Sequence, residues 1–249
     1  MSIYYSIVFF LIGVYLGDFY SVIGYRLPNK ERILFPSINE NENKVNYLKL
    51  IPLFSYFILR RKGYQNISIV SFLFELLSGI LFLVTYLIFG FSLETLFALT
   101  FISLLLIIIV SDYYYMVICD EVLIIFSLLL IIEIFVIRGF NGLCFSLLSA
   151  LISFAVMFLI KLLGDFLFKK ESMGGGDIKL LCVFGLVLGL PTSLFTIFIG
   201  SIVALPISLF YLKKKDSNII PFGPFLSMAA IVLLLFNPTI MSFFKFILF

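Results

Sequence analysis

Histidine does not occur anywhere in the 249 residues. That absence removes Ser–His and Cys–His catalytic pairs, together with every metal site that needs imidazole. Cysteine is nearly as scarce. Cys119, Cys144 and Cys182 stand singly in apolar stretches with no CxxC spacing, which argues against a zinc ribbon or a disulfide framework. They read as small buried hydrophobes. Charge is thin too: 12% of the residues are Asp, Glu, Lys or Arg, where a soluble domain has about 25%. If the chain is an enzyme, carboxylates are the natural carriers of its acid–base chemistry.

What fills the space is apolar. Hydrophobic residues make up 63% of the chain, and the mean hydropathy is +1.22. This is the composition of an all-α, polytopic membrane protein. Helices are expected because the backbone must satisfy its own hydrogen bonds in lipid. A β-barrel would alternate in ten-residue segments, and these runs are continuous. The first 24 residues lack the basic start and small-residue cleavage site of a removable signal peptide, and their apolar run continues past Ser21. Segments long enough to cross about 30 Å of hydrocarbon fall near 3–24, 68–90, 93–111, 119–137, 142–162, 177–190, 192–212 and 221–246. About eight transmembrane helices are therefore expected, with one polar loop.

Basic residues orient these spans. With the N-terminus outside, the first loop carries Arg26, Lys30, Arg32, Lys44, Lys49, Arg60, Arg61 and Lys62 on the cytoplasmic side. Lys161, Lys169, Lys170 and Lys213–Lys215 fall on the same side, leaving Arg138 and Lys245 outside. The stretch from Leu27 to Ile67 is the one sizeable polar segment. Its second part, NYLKLIPLFSYFILRRKG, is apolar enough for a short interfacial helix or hairpin, with Arg60–Lys62 against anionic headgroups.

Two aspartates then stand out at the cytoplasmic boundary. Asp112 closes the run FISLLLIIIVSD, and Asp177 follows Gly174–Gly175–Gly176. A carboxylate in a span costs roughly 2.5 kcal/mol or more near the bilayer centre and less toward an interface. Such residues face water or a partner. Two carboxylates brought together share a proton, because like charges a few ångströms apart do not both ionise cheaply. Such a pair is an aspartyl protease dyad, which needs neither His nor metal. Simpler readings stand beside this one. Asp177 could cap the sixth span, Asp112 could be a solvated boundary residue, and either could bind ions in a transporter. No inverted repeat of the transporter kind is visible. Lys179 could neutralise charge near a dyad or only anchor its span, Glu133 could snorkel beside Arg138, and Glu75 lies deep in the second span.

Several motifs together resemble the type IV prepilin peptidases. GGGDIKLL, Gly174 to Leu181, is similar to that family's GxGD-x-K-L. The stretch Asp112-YYYMVIC-Asp120 resembles its first aspartate block, with Cys119 where a proline is usual. Gly17-DFYSVIGYRLP, Ile51-PLFSYFILRRKG, Phe74-Glu75-Leu76 and Ile220-Pro221-Phe222-Gly223-Pro224 match further blocks in the same order.

The resemblance implies a membrane aspartyl endopeptidase that removes the basic leader of a type IV prepilin or pseudopilin precursor. Asp112 and Asp177 would be catalytic, with Asp120, Gly174, Gly176 and Lys179 supporting. It implies a division at residue 92, with 1–92 an amino-terminal part and 93–249 the peptidase core. It also implies a multi-pass protein of the cytoplasmic membrane, its active site facing the cytoplasm, with the bilayer and the pilin precursor as partners and no nucleic acid. Many members also methylate the new amino terminus with S-adenosylmethionine, an activity attributed to the first half, where Arg26 and Glu75 lie. Two departures bear on this. The paired CxxC motifs read as a zinc site in many members are absent, so no metal is expected, and Ser21 replaces the family's Asn. Methylation is left open; the peptidase needs no cofactor.

Overall fold

The computed structural model describes residues 2–30, 69–169, 171–214 and 221–248. Among the described residues all regular structure is helical, in seven helices: α1 (Ser2–Arg26), α2 (Ile69–Phe89), α3 (Leu93–Tyr115), α4 (Asp120–Phe168), α5 (Gly175–Leu188), α6 (Leu190–Lys214) and α7 (Gly223–Leu248). Of these, α1, α2, α3, α4 and α6 contain stretches long and apolar enough to cross a membrane. The interfacial segment expected after Asn46 falls on residues 31–68, outside the described residues.

The fourth and fifth expected spans fall in one run of helix, α4, of 49 residues. It is not straight. Gly139 has φ 68° and ψ −175°, a conformation open to glycine and strained for other residues. Ser127 and Phe154 line the same cavity, whereas 27 residues of continuous helix would separate them by about 40 Å. The chain therefore reverses at Gly139, and α4 is two antiparallel limbs. The remaining breaks are local too. Gly90 (φ 66°) ends α2, and the Ser92 hydroxyl accepts the Thr95 N–H to cap α3. Met116 (φ 55°) follows α3, Lys169 (φ 53°) ends α4, and Gly189 (φ 78°) ends α5. Gly189, rather than Pro191, makes the break between the sixth and seventh expected spans, while Pro191 sits in the first turn of α6, where its missing N–H costs nothing.

The chain forms two compact units, Met1–Thr95 and Leu96–Phe249. In the first, α1 and α2 pack through small residues. A Cβ on Gly13 would lie 2.9 Å from the Gly79 Cα, and one on Gly17 would lie 3.1 Å from the Glu75 Cα. The Ser78 hydroxyl donates to the Gly13 carbonyl at 2.8 Å. A Gly-xxx-Gly face thus brings two backbones together, as helix association in lipid favours.

In the second unit α3 and α5 are the enclosed helices. Phe101, Leu104, Leu105 and Leu106 of α3 are fully buried, as are Leu180, Leu181 and Phe184 of α5. The Phe101 and Phe184 rings meet edge to face at 5.8 Å. The first limb of α4 runs antiparallel to α3: Thr100 donates to Glu133 at 2.8 Å, and Arg138 lies over the Phe97 ring. Glu133 is thus hydrogen-bonded to the neighbouring helix. The second limb runs along α5, where Gly185 sits against Ser149, Ala150 and Ser153. A Cβ at Gly185 would come within 2.6 Å of the Ser149 carbonyl oxygen. Gly185→Val is therefore expected to destabilise the protein by about 1–3 kcal/mol, as overpacking does. Thermal unfolding in detergent, compared with wild type, measures it; an unchanged midpoint contradicts this packing.

Candidate active site

The Leu96–Phe249 unit brings both singled-out aspartates to one place. Asp112 lies in the last turn of α3, which continues to Tyr115 instead of ending at the aspartate. Asp177 is the third residue of α5, whose first is Gly175. Both are buried, Asp112 to 6% exposure and Asp177 to 9%. They are close enough for the charge of Asp112 to act on Asp177.

Each side of the pair is held by a glycine. The Gly223 backbone N–H, at the start of α7, donates to Asp112 Oδ2 at 2.9 Å. A helix's first N–H groups have no partner within the helix and carry its positive end, so this one suits a carboxylate. A Cβ on Gly223 would lie 2.7 Å from the same oxygen, so the close approach depends on glycine. On the other side, Gly176 packs against Ile118 of the α3–α4 link, where a Cβ would fall 2.9 Å from the Ile118 Cβ. Gly174 meets nothing closer than Asp177 Oδ2, at 3.7 Å, and Gly175 meets nothing within 4 Å. The three glycines are thus unequal, and only Gly176 is tightly confined. No side-chain hydrogen bond caps α5, so capping does not account for Asp177.

Asp120 and Lys179 find each other. The Lys179 ammonium donates to both Asp120 oxygens at 2.7 Å, joining the start of α4 to the first turns of α5. Lys179 is two residues beyond Asp177, about 200° around the helix axis, and so faces away from the dyad. A second tie restrains the loop before α5: Asp165 accepts the Ser172 backbone N–H at 2.6 Å and its hydroxyl at 2.8 Å.

Glu75 and Arg26 belong to the Met1–Thr95 unit. Glu75 is buried on α2, and Arg26 ends α1. Among the described residues no group of His, Cys, Asp or Glu is arranged to hold a metal. The sequence did not assign Gly223 a role, although Ile220–Pro224 was visible as a motif. The available signal was a glycine at a helix start, between Phe222 and Pro224.

Residues 99–209 match the type IV leader peptidase family, and residues 11–89 match the bacterial peptidase A24 N-terminal domain. A prepilin leader peptidase/N-methyltransferase of Bacillus subtilis (strain 168) is 30% identical over 247 residues, covering 95% of this chain and 96% of its own. This chain belongs to the type IV leader peptidase family. Proteins with the same name from Legionella pneumophila and Vibrio cholerae are 31% and 27% identical, over 78% and 82% of this chain and 69% and 85% of theirs. No solved structure matches the chain. It is a multi-pass membrane protein and a peptidase, and the first family match contains both Asp112 and Asp177.

The unequal glycines give a sharp expectation for a leader peptidase. Gly176→Val places a branched side chain against Ile118 and should reduce peptide cleavage far more than membrane insertion. Gly175→Ala should leave cleavage near wild type, since its methyl meets open space. A cleavage assay on purified variants, with membrane content quantified alongside, checks both. Normal cleavage by Gly176→Val contradicts the contact.

Proposed function

We propose that the protein is an aspartyl endopeptidase that removes the leader of a type IV prepilin-like precursor at the cytoplasmic face of the membrane. The pairing of Asp112 with Asp177 at the ends of two enclosed helices carries this reading. The prepilin substrate is supported by the names of the relatives. The cytoplasmic face is supported by the basic residues grouped on that side of the spans.

The chemistry follows from one proton shared between two carboxylates. The ionised member takes a proton from water as the water oxygen attacks the scissile carbonyl carbon. The protonated member donates a hydrogen bond to the carbonyl oxygen as charge builds there. The tetrahedral intermediate then collapses, the C–N bond breaks and the leaving amine takes a proton from the pair. The Gly223 N–H fixes the Asp112 carboxylate throughout. Asp112 and Asp177 titrate as a unit. Acid protonates both and removes the base, whereas alkali ionises both and removes the acid, so the rate should be bell-shaped in pH.

Methyl transfer is a second reading, supported by the relatives' shared name and by the match over residues 11–89, which contains Arg26 and Glu75. S-adenosylmethionine would be its methyl donor. It would not enter between α1 and α2 at Gly13, Gly17 and Gly79, where the two helices leave no room even for a methyl group. No step is derived through that cofactor.

Co-expression with a prepilin and mass measurement of its amino terminus tests both activities. Loss of the leader reports the peptidase, and an added methyl, traceable with labelled S-adenosylmethionine, reports the transferase. Asp112→Asn and Asp177→Asn should each nearly abolish leader removal, with no further loss in the double variant, because the pair acts as one. Asp120→Asn should keep a measurable fraction. Full cleavage by either folded dyad variant sinks the assignment, and an inactive Asp120→Asn beside an active Asp112→Asn moves the catalytic role from Asp112 to Asp120.

A further inference from the structure

We propose that the Asp120–Lys179 ion pair is a clasp that sets the separation of the two dyad carboxylates; this rests on the peptidase reading. Each partner belongs to a segment that also carries one dyad member. Asp120 begins α4, five residues after Tyr115 ends the Asp112 helix, and Lys179 stands about one half-turn beyond Asp177 on α5. Beyond the Phe101–Phe184 contact deeper in the helices, two described contacts tie the segments near the dyad. One is the packing of Gly176 on Ile118, and the other is the bidentate contact of the Lys179 ammonium with Asp120 at 2.7 Å.

These contacts differ in what they can fix. Ile118 against Gly176 sets how closely the segments approach, because backbone meets an aliphatic branch with no Cβ between. By itself it does not stop the first turn of α5, ahead of the Phe101–Phe184 contact, from twisting about the helix axis. Lys179 does, because its side chain reaches to a different element on the face opposite Asp177. Rotation of α5 would swing Asp177 relative to Asp112, and the clasp resists it. Both side chains are about half exposed, so the pair adds little to overall stability. Its effect is directional. A lysine that acted instead as a charge on the dyad would have to face it, and this one faces α4.

Lys179 and Asp120 are thus positioning residues, and the test separates position from charge. Purified full-length variants are assayed on a prepilin precursor for kcat, KM, pH profile and thermal midpoint in detergent. Lys179→Gln and Asp120→Asn should each lower kcat by about 10–100-fold, the scale on which a misplacement near 1 Å acts. KM, the midpoint and the bell-shaped pH profile should hold. The double variant should lose no more than either single variant, since one contact is removed in all three. Lys179→Arg, whose guanidinium can also grip both Asp120 oxygens, should keep most of the activity.

The clasp is overturned if Lys179→Gln or Asp120→Asn matches wild-type kcat, or if their losses multiply in the double variant. It is also overturned if Lys179→Gln shifts the pH optimum upward, as removing a cation that acts directly on the pair would do. A lowered midpoint that tracks the loss of activity makes the pair a stability element and overturns it as well. An inactive wild type would overturn the peptidase reading itself, a distinguishable result.

Discussion

In the Leu96–Phe249 unit two aspartates, Asp112 and Asp177, lie buried within electrostatic reach of each other, and the packing of that unit holds them there. Desolvation and like charge both oppose the arrangement, so a loosely packed scaffold would let the aspartates drift apart. The scaffold is not loose. Asp112 lies in the last turn of α3, whose residues from Phe101 to Ile108 are almost wholly buried, and Asp177 lies in the first turn of α5, which is enclosed through most of its length. The edge-to-face contact of Phe101 with Phe184 locks the two helices along their apolar part. Rigidity in the apolar region is transmitted to the polar ends.

Glycine solves the remaining problem of distance. Asp112 needs a donor, and a backbone N–H reaches it only because Gly223 has no side chain to intervene. Asp177 needs the link between α3 and α4 beneath it, and Gly176 permits that contact. The α1–α2 pair in the first unit uses the same device at Gly13, Gly17 and Gly79, with a different result. There the glycines close a helix pair, whereas here they bring backbone up to the Asp112 carboxylate and to the link beside Asp177.

The sequence made the helical class legible because hydropathy over some twenty residues is a strong, local signal. It also marked both aspartates, since charge is conspicuous in apolar runs. What it hid is instructive. The reversal within α4 falls between the two expected spans, but that one residue, Gly139, makes it through a positive φ is something no hydropathy window registers. The partner of Lys179 was equally hidden. Beside Asp177 in the chain it reads as a counter-charge, yet helical geometry turns it to the opposite face, toward Asp120. Gly223 lies 111 positions from Asp112, and nothing local to either residue announces their contact. The motifs were visible as strings, but their mutual geometry was not.

The shortness of α5 ties the chemistry to the membrane. Fourteen residues rise about 21 Å, short of the roughly 30 Å of hydrocarbon, whereas the second limb of α4 continues to Phe168 before the chain turns back. The loop between them folds onto α4, with Ser172 bound to Asp165 and packed near Gly164. Irregular backbone beside lipid is tolerated only where protein or water satisfies it. Here the loop from Glu171 to Gly175 is largely exposed, while Asp177 two residues on is buried. The short helix leaves Asp177 buried directly behind an exposed glycine loop, the arrangement that a proton-sharing pair with access to water would need.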